Sequence, residues 1–435
     1  MKSLTNAVSQ YCLAIALSFY AIAVFSSPDN QFIFTPQPEH THGSTIVELP
    51  NGDLLAAWFQ GDDERRGSDV RIMGARLSKY YNTWSEPFVM ADTPAFPDIN
   101  PAMFLDSRGR LWLVWYTVMG NQWDTSLLKY KVSKKYGWYY GAPKWKKQDV
   151  LHVHLGENTG YGIQPDDAFV ATVEAKHLEL DPTIPPVLEP LWQLFKADVL
   201  SKARGENMIR SGAIINPDGS MTPAELGYPT ERRLGWQTKN KAITVGDRII
   251  LPLYSDWLNM SLMAITDDFG KHWSFSEPLV GTANIQASIA ERSNGHLVAY
   301  MRDNGVPPKV HHRSESSDNG ETWSMVEDSQ VLNPGSGSDI VTLANGNWVI
   351  AYNNLEDGRY SLVVSLSEDE GATWPYTRQL ELDLNPDEAM RTKFDYPAII
   401  QGEDGDIHIT YSYRPEVEGS DSIKYRRITE AWIKQ

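Results

Sequence analysis

The chain has 435 residues, 41% of them hydrophobic and 22% charged, with a net charge of −17. That is enough for one large globular domain or two ordinary ones, and it excludes a disordered chain. The acidic balance also excludes non-specific nucleic-acid binding, which needs a basic face. It leaves an anionic ligand open, because the field inside a pocket is set by the residues that line it.

In chain order, Lys2, the apolar run Tyr11–Phe25 and the small residues Ser26 and Ser27 read as a signal peptide over residues 1–27. The run is shorter than the roughly 20 residues a membrane span needs. The expected product is therefore secreted or periplasmic, with no stable membrane span after cleavage. Cys12, the single cysteine, lies inside this segment, so residues 28–435 are expected to use neither a disulfide nor a thiolate.

Beyond it one pattern recurs six times: a Gly-containing turn followed by an alternating apolar strand that ends on a large side chain, in most copies an aromatic. The copies are Glu48–Phe59, Leu105–Tyr116, Val245–Tyr254, Glu291–Met301, Leu343–Tyr352 and Gln401–Tyr411. Asn-Gly and Asp-Gly between apolar runs are hairpin signals, because Gly accepts a positive φ without a steric cost. Most copies stand roughly 50–60 residues apart, the length of one four-stranded propeller blade. The expected fold is thus all-β, a six-bladed β-propeller. Gln31–Thr35 and Ser422–Ile428 are the candidates for closing its ring. The spacing breaks over about 137–236, between the second and third copies. There Leu191, Leu194, Phe195 and Val199 recur at helical spacing, so Leu191–Arg204 is expected to be an amphipathic helix of a partly helical insertion that packs on the propeller or covers its site.

Ser316–Trp323 and Ser367–Trp374 fit S-x-D-x-G-x-T-W completely, Thr266–Trp273 is a weaker copy, and Ser78–Trp84 is weaker still. These runs resemble the Asp-box. Together with HGSTIVELPNGDLLAAWF, NPGSGSDIVTL and YPAIIQGEDGDIHITY, they make the chain similar to the sialidase superfamily, in its BNR-repeat branch. The resemblance covers most of residues 40–430 apart from the insertion, and implies a sialidase-type propeller. It also implies a site in which arginines grip a substrate carboxylate while an Asp acid/base and a Tyr nucleophile act on the sugar. Carried over residue by residue, it assigns Asp69 as acid/base, Arg302 and Arg359 as carboxylate ligands and Tyr396 as nucleophile. The family's first arginine falls at His42-Gly43-Ser44, and its Tyr-activating Glu falls at Gln286. His offers a carboxylate fewer donors than an Arg fork does and titrates near neutrality. Gln cannot take a proton from Tyr. Lys241, Asp339 and Arg414, at blade ends, are further candidate sugar contacts, and Trp58, Trp115, Trp123 and Trp257 are candidate stacking surfaces. The pairs His40/His42 and His152/His154 each lack an evident third ligand, so neither a metal nor a cofactor is expected.

Three functions are compatible with this constellation. The first is an exo-glycosidase removing a terminal acidic sugar, with sialic acid as the class the resemblance implies. The second is a lyase or hydrolase of a uronic-acid polysaccharide in which His42 and Tyr396 move protons. The third is a propeller that binds an acidic glycan or glycoconjugate without turnover.

Overall fold

The computed structural model describes residues 29–136, 141–156, 158–159, 162–163, 166–206, 213–215, 218–223, 232–417 and 419–435. The expected signal peptide lies outside the described residues.

Six four-stranded antiparallel sheets stand in a ring. Blade 1 consists of His40–Glu48, Leu54–Gly61, Arg71–Leu77 and Phe88–Ala91. Blade 2 consists of Asp98–Leu105, Leu111–Val118, Ser126–Ser133 and Lys147–Val150. Blade 3 runs from Ile243–Val245 to Ser274–Phe275, blade 4 from Asn284–Glu291 to Glu327–Leu332, and blade 5 from Asp339–Thr342 to Tyr376–Leu382. Blade 6 takes Lys393–Gln401, Ile407–Arg414 and Ser422–Ile428 from the end of the chain and its outermost strand, Asp29–Phe32, from the beginning. The register runs from Asp29 opposite Arg427 to Phe32 opposite Lys424, and Asp29 also forms an ion pair with Arg427 at 2.7 Å. The seam strand thus starts two residues earlier than the apolar pattern suggests.

Burial follows the radius of the ring. Leu54–Gly61, Leu111–Val118 and Trp348–Asn353 are buried at every position, because neighbouring blades cover both faces of the second strand. The fourth strands face solvent on one side or both: Tyr376–Leu382 alternates, and Lys147–Val150 is exposed throughout. Within each blade the first and second strands turn on the repeated Gly. In blade 2, for example, Gly109 has φ +63° and its N–H donates to the Asp106 carbonyl at 2.8 Å. The Asp-boxes close the turn between third and fourth strands. Asp318 accepts from the Glu321 and Thr322 backbone N–H groups, and Trp323 donates its indole N–H to the Gly320 carbonyl while packing between blades. Each such carboxylate satisfies backbone donors that no ladder reaches.

The insertion contributes two antiparallel helices, Ala168–Leu180 and Glu189–Arg204. The second begins two residues before the apolar periodicity, with Pro190 in its first turn and Gly205 as a left-handed cap. The first escaped the periodicity argument because its apolar residues are mixed with small and charged ones. It is positioned by Asp167, which caps the Phe169 and Val170 N–H groups and forms a buried ion pair with Arg232 at 2.6 Å. Val170, Val173, Val199 and Ala203 join the propeller core. Among the described residues, no helix is long and apolar enough to cross a membrane.

Candidate functional site

The innermost strands of four blades carry the same irregularity. Register shifts occur between His42 and Thr45, Ile99 and Ala102, Ile285 and Ser288, and Asp395 and Ala398. The residue at the centre of each shift has left-handed backbone: Gly43 (φ +62°), Asn100 (+44°), Gln286 (+55°) and Tyr396 (+51°). A bulge re-aims a side chain and unpairs its strand, and here three of the four side chains, Asn100, Gln286 and Tyr396, line one cavity. Pro101 and Pro397, which lack an N–H to leave unpaired, follow two of them. Gly43 has no side chain to contribute: a Cβ there would fall 2.3 Å from Asn100 Oδ1 and 2.9 Å from the Phe59 ring. Non-Gly residues at positive φ store about 1–3 kcal/mol each, a cost found mainly at functional sites.

The cavity measures about 280 Å³, at the small end of ligand sites. It is lined by His42, Glu64, Asn100, Tyr116, Trp123, Tyr254, Asp256, Gln286, Arg302, Arg359, Tyr396 and Arg414, with Phe59 and Ile99 as its main apolar walls. Three guanidiniums therefore line one cavity with a phenol. Arg302 Nη1 donates to Tyr396 Oη at 2.9 Å, and Arg359 stacks 5.5 Å from the Tyr396 ring. Arg359 and Arg414 both donate to Oδ2 of Asp395, at 2.9 and 2.6 Å. Asp395 is fully buried, and these guanidiniums hold it ionised against the burial that opposes its charge. The Nε–H groups of Arg302 and Arg414 are buried and have no hydrogen-bond partner among the described residues.

The Tyr396 oxygen also accepts from Gln286 Nε2 at 3.2 Å, and the same amide reaches Tyr254 Oη at 3.3 Å. Asn100 Nδ2 bridges Tyr254 and Tyr116 in turn, at 3.4 and 3.2 Å. The result is a row of alternating phenols and amides ending at Arg302. Every protein group shown to approach the Tyr396 oxygen is an N–H donor, which suits an oxygen on which negative charge develops. Lys239, 4% exposed, packs 5.8 Å from the Tyr396 ring and donates to the carbonyls of Ser338 and Pro397. Burial pushes its ammonium down to about 8.

The titratable groups divide by environment. Asp256, half-buried in the cavity wall, has its carboxyl pushed up by partial burial. Burial acts the same way on Glu64, but His40 (3.2 Å), His42 and Arg414 outweigh it and hold Glu64 down at about 2. For His40, burial is outweighed by the Asp421 and Glu64 carboxylates, and its pKa rises to about 9. His42 is held well below its usual value by burial and by Arg414, so it is neutral near pH 7. Its Nδ1 lies 2.8 Å from Ser412 Oγ and 3.5 Å from Asp395. The adjacent carboxylate favours the proton on Nδ1, which leaves Nε2 as the basic nitrogen.

The structure brings together His42, Gln286, Arg302, Arg359, Tyr396 and Arg414, and it keeps three other candidates apart. Asp69 is exposed on the loop between the second and third strands of blade 1 and accepts from the Asp62 N–H at 3.1 Å. That contact lowers its carboxyl, the opposite of what a proton donor needs. Lys241 and Asp339 form an ion pair at 2.8 Å outside the cavity lining. Asp339 also accepts from Ser288 Oγ and the Ile399 N–H, so this pair ties blades together. Trp58 and Trp115 are core residues, whereas Trp123 lines the cavity. No described residue of the 137–236 insertion lines it. The pattern-based reading missed Asp256, Asp395, Tyr116, Tyr254 and Asn100. The one signal available was that Asp395 and Tyr396 are adjacent at the head of the last blade.

A six-bladed propeller with an arginine-lined, tyrosine-floored cavity at the inner strands defines a protein of the sialidase type. The chain belongs to the BNR repeat-like domain family, whose model matches residues 52–168 and 236–409 and breaks over the helical insertion. A sialidase of Bacteroides fragilis is 31% identical over 125 residues, which are 27% of this chain and 22% of that one; the match thus spans about a fifth of that relative's length. Among solved structures, the NanB sialidase of Streptococcus pneumoniae aligns with a TM-score of 0.62 at 13% identity, over 93% of this chain and 71% of that one. The intramolecular trans-sialidase of Ruminococcus gnavus aligns with a TM-score of 0.60 at 12% identity, over 93% and 98%. A Dyadobacter fermentans protein described as of unknown function aligns with a TM-score of 0.59 at 14% identity, over 92% and 97%. At these identities the structural likeness concerns the fold.

Proposed function

We propose that the protein is an exported exo-glycosidase that hydrolyses the bond to a terminal carboxylated sugar, of the sialic acid class. The observation that carries this reading is the convergence of Arg302, Arg359 and Arg414 with Tyr396 on one small cavity. The guanidiniums take the carboxylate, Arg414 of blade 6 filling the role that His42 of blade 1 cannot. A cavity of about 280 Å³ suits a single terminal ring rather than a running chain. Asp256, the carboxyl pushed toward its neutral form, donates the proton to the leaving oxygen. Tyr396 faces the anomeric carbon, and Arg302 and Gln286 support the charge on its oxygen. Neutral His42, whose ring centroid lies 4.1 Å from that of Tyr396, is a base packed beside the phenol.

A second reading, β-elimination at a uronate, is favoured by one specific feature. Gln286 stands where a proton-accepting carboxylate would serve a tyrosine nucleophile, whereas elimination needs only a base such as His42 and an acid such as Tyr396. The test is incubation with a fluorogenic N-acetylneuraminic acid glycoside and, in parallel, with uronic-acid polysaccharides. Fluorophore release by the wild type and not by Tyr396→Phe is expected. Silence on the glycoside together with ultraviolet absorbance of an unsaturated uronate would replace hydrolysis with elimination. Glycan binding without either product would make the protein a lectin-like propeller.

A further inference from the structure

Beside the cavity lies a second, more open depression lined by Asp63, Glu64, Arg65, Arg66 and Trp123. Glu64 and Trp123 line both, so the two spaces meet at the rim between the second-to-third-strand loop of blade 1 and the short Trp123–Thr125 turn of blade 2. The arginines on this shelf differ from several others on the described surface. Arg71, Arg248, Arg292 and Arg427 each hold a carboxylate. Arg66 is exposed and has no hydrogen bond or ion pair among the described residues, and Arg65 has no ion pair either but stacks 5.6 Å from the Trp123 ring and acts electrostatically on Asp256 in the cavity wall. Glu64 is already matched by His40 at 3.2 Å. Asp63 remains, with one oxygen accepting the Glu64 N–H at 2.5 Å. Two adjacent guanidiniums without an ion pair stand next to the site, on a loop that also carries Asp62, Asp63, Glu64 and Asp69, so what the shelf offers an anion is N–H donors rather than a net positive charge. Arg65, stacked on indole, keeps its N–H edges free for a planar anion.

We propose that this shelf is the leaving-group side of the site and that it takes an anionic sugar, so that the substrate carries negative charge on both sides of the bond that is cut. The inference rests on reading the cavity as the seat of the terminal acidic sugar. It adds that the neighbouring residue is a second carboxylated or sulfated sugar, with Trp123 as the wall between the two.

The test has two arms. In the first, hydrolysis of the dimer of N-acetylneuraminic acid is compared with that of sialyllactose, whose leaving group is neutral, for the wild type and for Arg65→Ala/Arg66→Ala. The ratio of the two kcat/KM values is expected to fall by roughly tenfold in the double variant, and to fall with added salt in the wild type, as two exposed charge contacts imply. In the second arm, calorimetry measures binding of the same dimer and of digalacturonate to Tyr396→Phe protein with and without the two arginines. Affinity for at least one di-acid is expected to drop by roughly tenfold. Arginine-dependent binding without turnover would sink the hydrolase reading and leave this inference standing. Turnover with an unchanged ratio, or no binding of either di-acid, would overturn the inference itself.

Discussion

Arg414 Nη2 lies 2.6 Å from Asp395 Oδ2, so the last blade supplies a guanidinium beside the place where the first blade offers only a histidine. Asp395 is buried and Arg414 half-buried, and Arg359 shares the same oxygen. Arg414→Ala leaves Asp395 with one cation instead of two, which costs about 2–4 kcal/mol by analogy with broken buried pairs. The expected result is a lowered Tm and a loss of glycoside release of at least about a hundredfold, with Arg414→Lys recovering stability better than activity because it lacks the planar fork. A variant as active as the wild type would remove Arg414 from the site. The pair also has a pH signature. Asp395 is depressed below its unfolded value, so its stabilisation is present above about pH 4 and is lost as the pH falls below that.

Gln286→Glu places a carboxylate against the Tyr396 oxygen, where Gln286 Nε2 now lies at 3.2 Å. A general base there is worth about 10²–10⁴ in favourable cases. In a hydrolase, release of the fluorophore rises by at least about tenfold and the pH profile gains an acidic limb. In a lyase the same change repels the uronate and lowers elimination. Steady-state rates on both substrate types decide which sign applies.

Asp256→Asn is expected to cost glycoside release far more than Asp69→Asn does, about a hundredfold against a few-fold. Only Asp256 lines the cavity and is pushed toward the neutral acid. Aryl glycosides with good leaving groups need less protonation and should suffer less from Asp256→Asn. An equal loss on good and poor leaving groups would argue against a proton donor at this position.

His40 and Glu64 give a stability window. His40 is raised to about 9, so its contribution is complete below about pH 6.5 and is lost as the pH climbs through 9. Glu64 is lowered to about 2, so its contribution is complete above about pH 4.5 and is lost as the pH falls toward 2. Both side chains are partly exposed, and screening reduces the pair to about 1 kcal/mol. Unfolding midpoints should therefore decline between pH 7 and 9.5 in the wild type and much less so in His40→Gln.

Gly43→Ala should destabilise the protein by about 2–4 kcal/mol, through a left-handed backbone and a clash with Asn100 Oδ1 and Phe59. It should also disturb the site, because Asn100 holds the Tyr116 and Tyr254 phenols. Thermal unfolding together with binding of N-acetylneuraminic acid measures both effects.

Local chemistry determined the blades. The repeated Gly turns, the alternating strands and the Ser-x-Asp-x-Gly-x-Thr-Trp turns each act within a dozen residues, so they are legible along the chain. Arg302, Arg359 and Tyr396 came from the family resemblance rather than from any local pattern, and they line one cavity. What only the tertiary structure decided is which charges meet. Asp69 and Glu64 share one loop and one chemistry, yet the fold turns Glu64 onto His40 and leaves Asp69 in water. Partial burial pushes the Asp256 carboxyl up, and Arg414 is held by a carboxylate on the adjacent strand. A carboxyl group's behaviour depends on the dielectric and the charges within a few ångströms of it, and in a closed ring those neighbours come from blades hundreds of residues apart.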